Sequence, residues 1–168
     1  MAEELIQIVD ENDKPIAAAT KEEAWNKGLT HRVARIMVED KDGRVLLQKR
    51  SMRQPLFPGT WDNSAAGHVD ENETYDHAAR RELSEEIGID LPLKKVGYYF
   101  VDFRWNNFHL KRFAKSYKVI VEADIPLKLQ QSEVTATKWF TVKEVKQLIQ
   151  DHPEQVSDGL KQVFERFY

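Results

Sequence analysis

The chain of 168 residues contains no cysteine. That excludes a disulfide framework, a thiolate zinc site and a cysteine nucleophile, and it is consistent with the cytoplasm as the expected location. Long apolar runs are missing too. The N-terminal stretch MAEELIQIVDENDK is acidic, with only a short apolar run over residues 5–9. Neither a signal peptide nor a membrane span of about 20 residues is expected, so the membrane is not a partner. There is no basic block: 25 Lys and Arg stand against 28 Asp and Glu, a net charge of −3. Nucleic acid is therefore not expected as the main partner. Repeats and low-complexity segments are absent. The length suits one domain with a proper core.

What the chain has is a dense motif at residues 67–89, GHVDENETYDHAARRELSEEIGI. Glu82, Glu85 and Glu86 stand at i, i+3 and i+4, which on a helix puts three carboxylates on one face. Such close like charges repel, so a cation is expected between them. Oxygen ligands without His or Cys suit Mg²⁺ or Mn²⁺. Tyr75, Ala79, Leu83 and Ile87 recur every four residues and form a second, apolar face for packing on a sheet. Gly88 fits the left-handed stop after the helix, and Thr74 or Asn72 fits its start. Glu73 and Arg81 are eight residues apart, about 12 Å along a straight helix. They can pair only if Glu73 lies in the preceding loop and folds back.

Along the rest of the chain, residues 4–9 and 15–19 read as a hairpin. Thr20 caps a short helix that ends at Gly28. Strands are expected at 31–39 and 44–50, joined through Asp42-Gly43, with short strands between Trp61 and Val69. The motif helix covers 74–87. A long hairpin, 95–105 and 109–122, turns at Asn106-Asn107, and a strand follows at 134–140. Thr141 and Glu144 form a capping-box pattern opening a helix at 142–150, and a last helix is expected at 154–166. Strands interleaved with helices give an α/β fold with a mixed sheet covered on both faces.

Gly67, Glu73, Arg81, Glu82, Glu85, Glu86 and Gly88, with Leu83 and Ile89, satisfy G-x5-E-x7-R-E-U-x-E-E-x-G-U, where U is aliphatic. The chain thereby resembles the Nudix hydrolase superfamily, which mostly cleaves diphosphates linked to another group. The resemblance implies a Nudix-type α/β/α sandwich, here a single domain over 1–168. Its core would run from 30 to 150, with 1–29 an N-terminal extension and 153–168 a C-terminal helix. It implies a Mg²⁺ or Mn²⁺ held by Glu82, Glu85, Glu86 and the backbone carbonyl of Ala66. Gly67, Glu73, Arg81 and Gly88 would be structural supports, Glu73 and Arg81 as a loop–helix ion pair. Glu82 is the first choice for the base that takes a proton from water and Glu85 the second. Glu133, in QQSEV, is an extra acid outside the motif. His68, Arg50 and Lys49 are candidate contacts to a small-molecule diphosphate substrate, with Arg35, Arg53, Arg104 and Arg112 as further cations. Aromatics along the long hairpin are read as core or as the seam of a homodimer.

Thr30-His31-Arg32, VLLQKRS, LFPGTWDNSAAGH and EVTATKWFTVKEV also look like the isopentenyl-diphosphate isomerase-like branch. In that branch, true isomerases carry a Cys before Gly-His, a Glu on a later strand and a third metal-binding His seven residues before His31. Here those places hold Ala66, no Glu between 102 and 121, and Ala24. The departures remove carbon acid–base chemistry and leave the hydrolytic set. A ligand-sensing module without turnover is the alternative of another class.

Overall fold

A computed structural model describes residues 3–168; the first two residues of the acidic N-terminal stretch lie outside it. β1 (Ile6–Val9) and β2 (Pro15–Ala19) form a hairpin, and α1 (Lys21–Lys27) follows, capped by Thr20 and stopped at Gly28. β3 (His31–Asp40) turns into β4 (Val45–Arg50); β5 (Trp61–Asp62) and β6 (Ala65–His68) are short. α2 (Tyr75–Ile87) comes next, then the long hairpin β7 (Lys94–Trp105) and β8 (Phe108–Val121). β9 (Val134–Phe140) leads into α3 (Val142–Asp151) and finally α4 (Asp158–Phe167).

The sheet is mixed: β3 runs parallel to β8 over ten paired positions and antiparallel to β1, β4 and β6. Alternation along β3 sends its side chains to opposite faces. Ala34, Ile36 and Val38 join the buried stripe of α2, namely Tyr75, Ala79, Leu83 and Ile87, together with Ala78. Met37, on the other parity, packs with Val45, Leu47 and the buried residues of α3 and α4. Helices on both faces of one sheet make the α/β/α sandwich expected from the sequence.

One irregularity matters for function. β3 and β4 pair only beside their turn, at Val38–Leu46 and Glu39–Val45. Beyond that point β3 takes β6 as its neighbour and β4 takes β5. The sheet forks, and the buried Asp62, Asn63 and Ser64 sit between the tines.

The end of the chain departs from its expected form. Pro153–Gln155 is a single 3-10 turn, and the last helix begins at Asp158 rather than 154. Val156 is extended, buried and bridged to Trp61, and the Ser157 N–H donates to Trp61 O at 2.9 Å. A residue committed to a strand bridge cannot be helical. Ser157 then caps α4 by accepting from the Leu160 N–H at 3.1 Å.

Leu83 is fully buried at the centre of the α2 stripe. Leu83→Ala is expected to cost about 2–5 kcal/mol in urea unfolding, with little change in the slope of the transition.

Candidate active site

The helix carrying the motif is set in place from both ends. Thr74 Oγ1 accepts from the His77 N–H at 3.1 Å and is the cap, while Asn72 adopts a left-handed turn (φ 66°) two residues earlier. Gly88, at φ 78°, ends the helix, and a side chain there would run into the backbone of Lys128. Glu73 does lie in the loop and does fold back. Arg81 grips it with Nε to Oε2 at 2.7 Å and Nη2 to Oε1 at 2.9 Å. Arg81 Nη2 also donates to His68 O at 3.2 Å, tying the loop to β6. Burial pushes the Glu73 carboxyl up, but Arg81, the Asp70 N–H and His77 outweigh it and hold it at about 2.

Glu82 and Glu86 turn toward β6. Gly67 has no side chain, and a Cβ there would fall inside the Glu82 carboxyl, so glycine is what lets the helix face approach the strand. Glu86 is almost wholly buried, accepting from Gln48 Nε2 at 2.6 Å and from the Ala66 N–H at 3.3 Å. Burial first, and the charge of Glu82 second, raise its carboxyl well above the ordinary range. Burial raises Glu82 as well, opposed by Arg81, whose Nη1 donates to its Oε1 at 2.8 Å. Glu133 completes the cluster: one oxygen each of Glu82, Glu86 and Glu133 lie within 4.8 Å of one another. Glu85 lines the same cavity but is half-exposed, accepting from Arg81 Nη1 at 3.3 Å.

Glu133 reaches this place through the backbone. The Lys128 N–H donates to Ile87 O and the Gln130 N–H to Glu86 O, both at 3.0 Å, which docks the loop before β9 on the end of α2. Ser51 N then holds Glu133 O at 2.8 Å.

The carboxylates form one wall of a cavity of about 490 Å³ in the fork of the sheet. His68 lines it, yet its ring is occupied: it stacks on His31 at 5.2 Å and accepts from the Trp25 indole at 3.3 Å. Burial, then the neighbouring His31, keeps His68 neutral. Arg50 lines the cavity, held by Asp62 at 3.0 Å and by Leu56 O at 2.9 Å. Lys49 does not line it; its ammonium lies over the Trp61 ring at 5.8 Å, which follows from its opposite parity on β4. Residues that sequence reasoning missed are Gln48, Asp62 and Trp25, with Ser157 and Gly159 from the start of α4. Gln48 alone carries a signal, as a polar residue that breaks the apolar run VLLQ.

The Glu73 carboxyl titrates in the fold below its ordinary value of 4.5. Its contribution to stability is therefore complete above pH 4.5 and lost as pH falls toward 2. Glu73→Gln should melt below wild type at neutral pH, and the gap should narrow as pH drops through that window. A gap that stays constant across the window would contradict the pairing.

With the geometry established, comparison with known proteins places the chain. Residues 29–163 match the NUDIX domain. The chain is 32% identical to an isopentenyl-diphosphate Delta-isomerase 2 of Photorhabdus laumondii, over 96% of its own length and 90% of that protein's. It is 34% identical to an uncharacterized Nudix hydrolase of Pseudomonas aeruginosa, over 82% of this chain and 78% of that one. A crystal structure from Deinococcus radiodurans shares the fold with a TM-score of 0.80 at 22% identity, covering 98% and 99% of the two chains. The NUDIX domain of Shewanella oneidensis NrtR, solved with ADP ribose, gives 0.64 at 19% identity over 88% and 96%. The fold, the carboxylate helix and the domain match agree: the chain belongs to the Nudix family and is a Nudix hydrolase.

Proposed function

We propose that the chain is a divalent-metal-dependent pyrophosphohydrolase that cleaves the P–O–P link of a nucleoside diphosphate derivative or a related small molecule. The observation that carries this reading is the clustering of Glu82, Glu86 and Glu133, two of them with raised proton affinity because they are buried together. Three carboxylates that close are costly unless a cation or protons sit among them. Their hard oxygen donors fit Mg²⁺ or Mn²⁺. Glu82, Glu86 and Glu133 would hold the ion, with Glu85 at the mouth and the backbone of Ala66 alongside. The ion would neutralise the diphosphate and lower the pKa of water.

The chain's own residues supply the rest. Arg50 and the other cations of the cavity orient the phosphates. Water attacks phosphorus, a new P–O bond forms, and the bridging P–O bond breaks with its electron pair leaving on the departing phosphate. The water proton passes to a carboxylate, Glu82 in the first instance and Glu85 in the second. Arg81 fixes Glu82 and the Gly67 loop, so it acts by positioning. The absence of cysteine supports a cytoplasmic setting.

Isomerase activity is not proposed, although two of the relatives bear that name. The position before Gly67 is Ala66, whose methyl group moves no proton, and residues 102–121 hold no Glu.

The test is a hydrolysis panel, read as released nucleotide, phosphomonoester or orthophosphate, over nucleoside diphosphates, sugar nucleotides, dinucleotides and isopentenyl diphosphate, with Mg²⁺ and Mn²⁺. Glu86→Gln should cut turnover about a thousandfold, roughly 4 kcal/mol of lost transition-state stabilisation, and chelation should abolish it. Full activity in Glu82→Gln and Glu86→Gln would overturn the site. Isomerisation of isopentenyl diphosphate without phosphate release would overturn the reaction.

A further inference from the structure

The wall of the cavity away from the carboxylates has the opposite problem. Arg35 of β3, Arg50 of β4 and Arg112 of β8 all line it. Arg50 has its carboxylate partner in Asp62. Arg35 is only 8% exposed, and among the described residues its side chain makes no hydrogen bond or ion pair; its Nε is buried without a partner. Arg112 is 3% exposed, gives Nε to His31 Nε2 at 3.2 Å, and leaves Nη2 buried without a partner. His31 offers no charge in return: burial first, then Arg112, pulls its pKa down to about 3.

Asp62 does not balance these cations. Its oxygens already accept from Arg50, from Ser157 Oγ at 2.8 Å and from the Asn63 N–H at 2.7 Å. Three guanidiniums against one carboxylate leave two positive charges uncompensated. Burial, then Arg35 and Arg50, push Arg112 well below its ordinary range. A guanidinium does not give up its proton inside a protein, so the cost remains in the free fold. Arg35 lies so close to Gly159 in the first turn of α4 that a Cβ there would stand 2.7 Å from its Cζ, so the guanidinium is pressed against the helix without gaining a partner from it. Two buried cations and their free N–H groups face one cavity, and both are satisfied by an anion.

We propose that Arg35 and Arg112 form a receptor for an unesterified terminal phosphate of the substrate, at the end of the cavity opposite the glutamates. This rests on the diphosphate hydrolase reading for the substrate's placement. The two spare charges match a terminal phosphate, which carries close to two negative charges at neutral pH. A diphosphate esterified at both ends brings only one charge per phosphate. Guanidinium forks suit the tetrahedral oxyanion geometry. The cavity thus selects substrates that end in a free phosphate over those capped by a sugar or a second nucleoside.

The probe is inorganic phosphate in the presence of a chelator, read by calorimetry and thermal melting. Wild type and Glu86→Gln should both bind it, and both should melt higher with it. Arg35→Met and Arg112→Met should bind it roughly tenfold or more weakly. Without phosphate, Arg35→Met should melt no lower than wild type, because it removes an unpaired buried cation. Arg35→Lys, which keeps the charge, should restore part of the phosphate-induced shift. Failure of wild type to bind phosphate under chelation overturns the proposal, as does wild-type affinity in both Met variants. An Arg35→Met protein that melts lower yet keeps the full phosphate shift overturns it as well. These readouts need no turnover, so a silent hydrolysis panel with intact phosphate binding would count against the hydrolase reading alone.

Discussion

Charge held out of water at close range organises this molecule. Glu82 and Glu86 are pressed together because α2 can approach β6 across Gly67 and because Gln48 and the Ala66 N–H anchor the deeper of the two. Repulsion between such groups would push the helix off the sheet, and the apolar stripe on the neighbouring face of α2 resists it. Each buried Leu or Ile in that stripe is worth about 1.5–3 kcal/mol, and Tyr75, Leu83 and Ile87 span the helix from end to end. The packing therefore holds the carboxyls at a spacing where a proton or a cation between them would be favourable. Arg81 divides its bonds among Glu73, Glu82 and Glu85, so the loop, the carboxylates and the rim share one support.

Across the same space the polarity reverses. Guanidiniums from β3, β4 and β8 stand where the helix contributes carboxylates on the other side. A diphosphate bridging metal and guanidiniums would neutralise both walls at once. In that arrangement the unfavourable terms would be confined to the place where ligand binding recovers them.

Much of this was legible in the sequence because it is local. The i, i+3, i+4 spacing fixed the three glutamates on one face, and Thr141 with Glu144 announced the capping box of α3 that is seen. A length argument puts Glu73 in the loop before the helix if it is to meet Arg81, and the family resemblance implies that they pair. The parts that escaped depend on distant contacts. Val156 is extended because Trp61, far back in the chain, pairs with it, and no local preference reveals that. Glu133 stands out as an extra acid, but what carries it to the cluster, the backbone of Lys128 and Gln130 binding the end of α2, is not visible there. Lys49 and Arg50 look interchangeable in a row, yet strand alternation sends one to Trp61 and the other to the cavity. Arg35 sits within the run VARIMV, where the sequence shows an interruption but not that no partner awaits it.

The crotch where β3 parts from β4 is held by a single hydroxyl. Ser64 Oγ accepts from the Val38 N–H at 2.7 Å and donates to Leu46 O, so one small side chain stitches both tines at the point of divergence. Its own carbonyl accepts from Gln48 Nε2 at 3.1 Å, the same amide that steadies Glu86. Widening the fork beside Gln48 would therefore mean breaking the hydrogen bonds that Ser64 and Gln48 make to the main chain of both tines. Anyone wishing to retune what the chamber admits should leave that stitch alone and rework the 51–60 segment, where Pro55, Leu56 and Phe57 line the entrance without belonging to any strand.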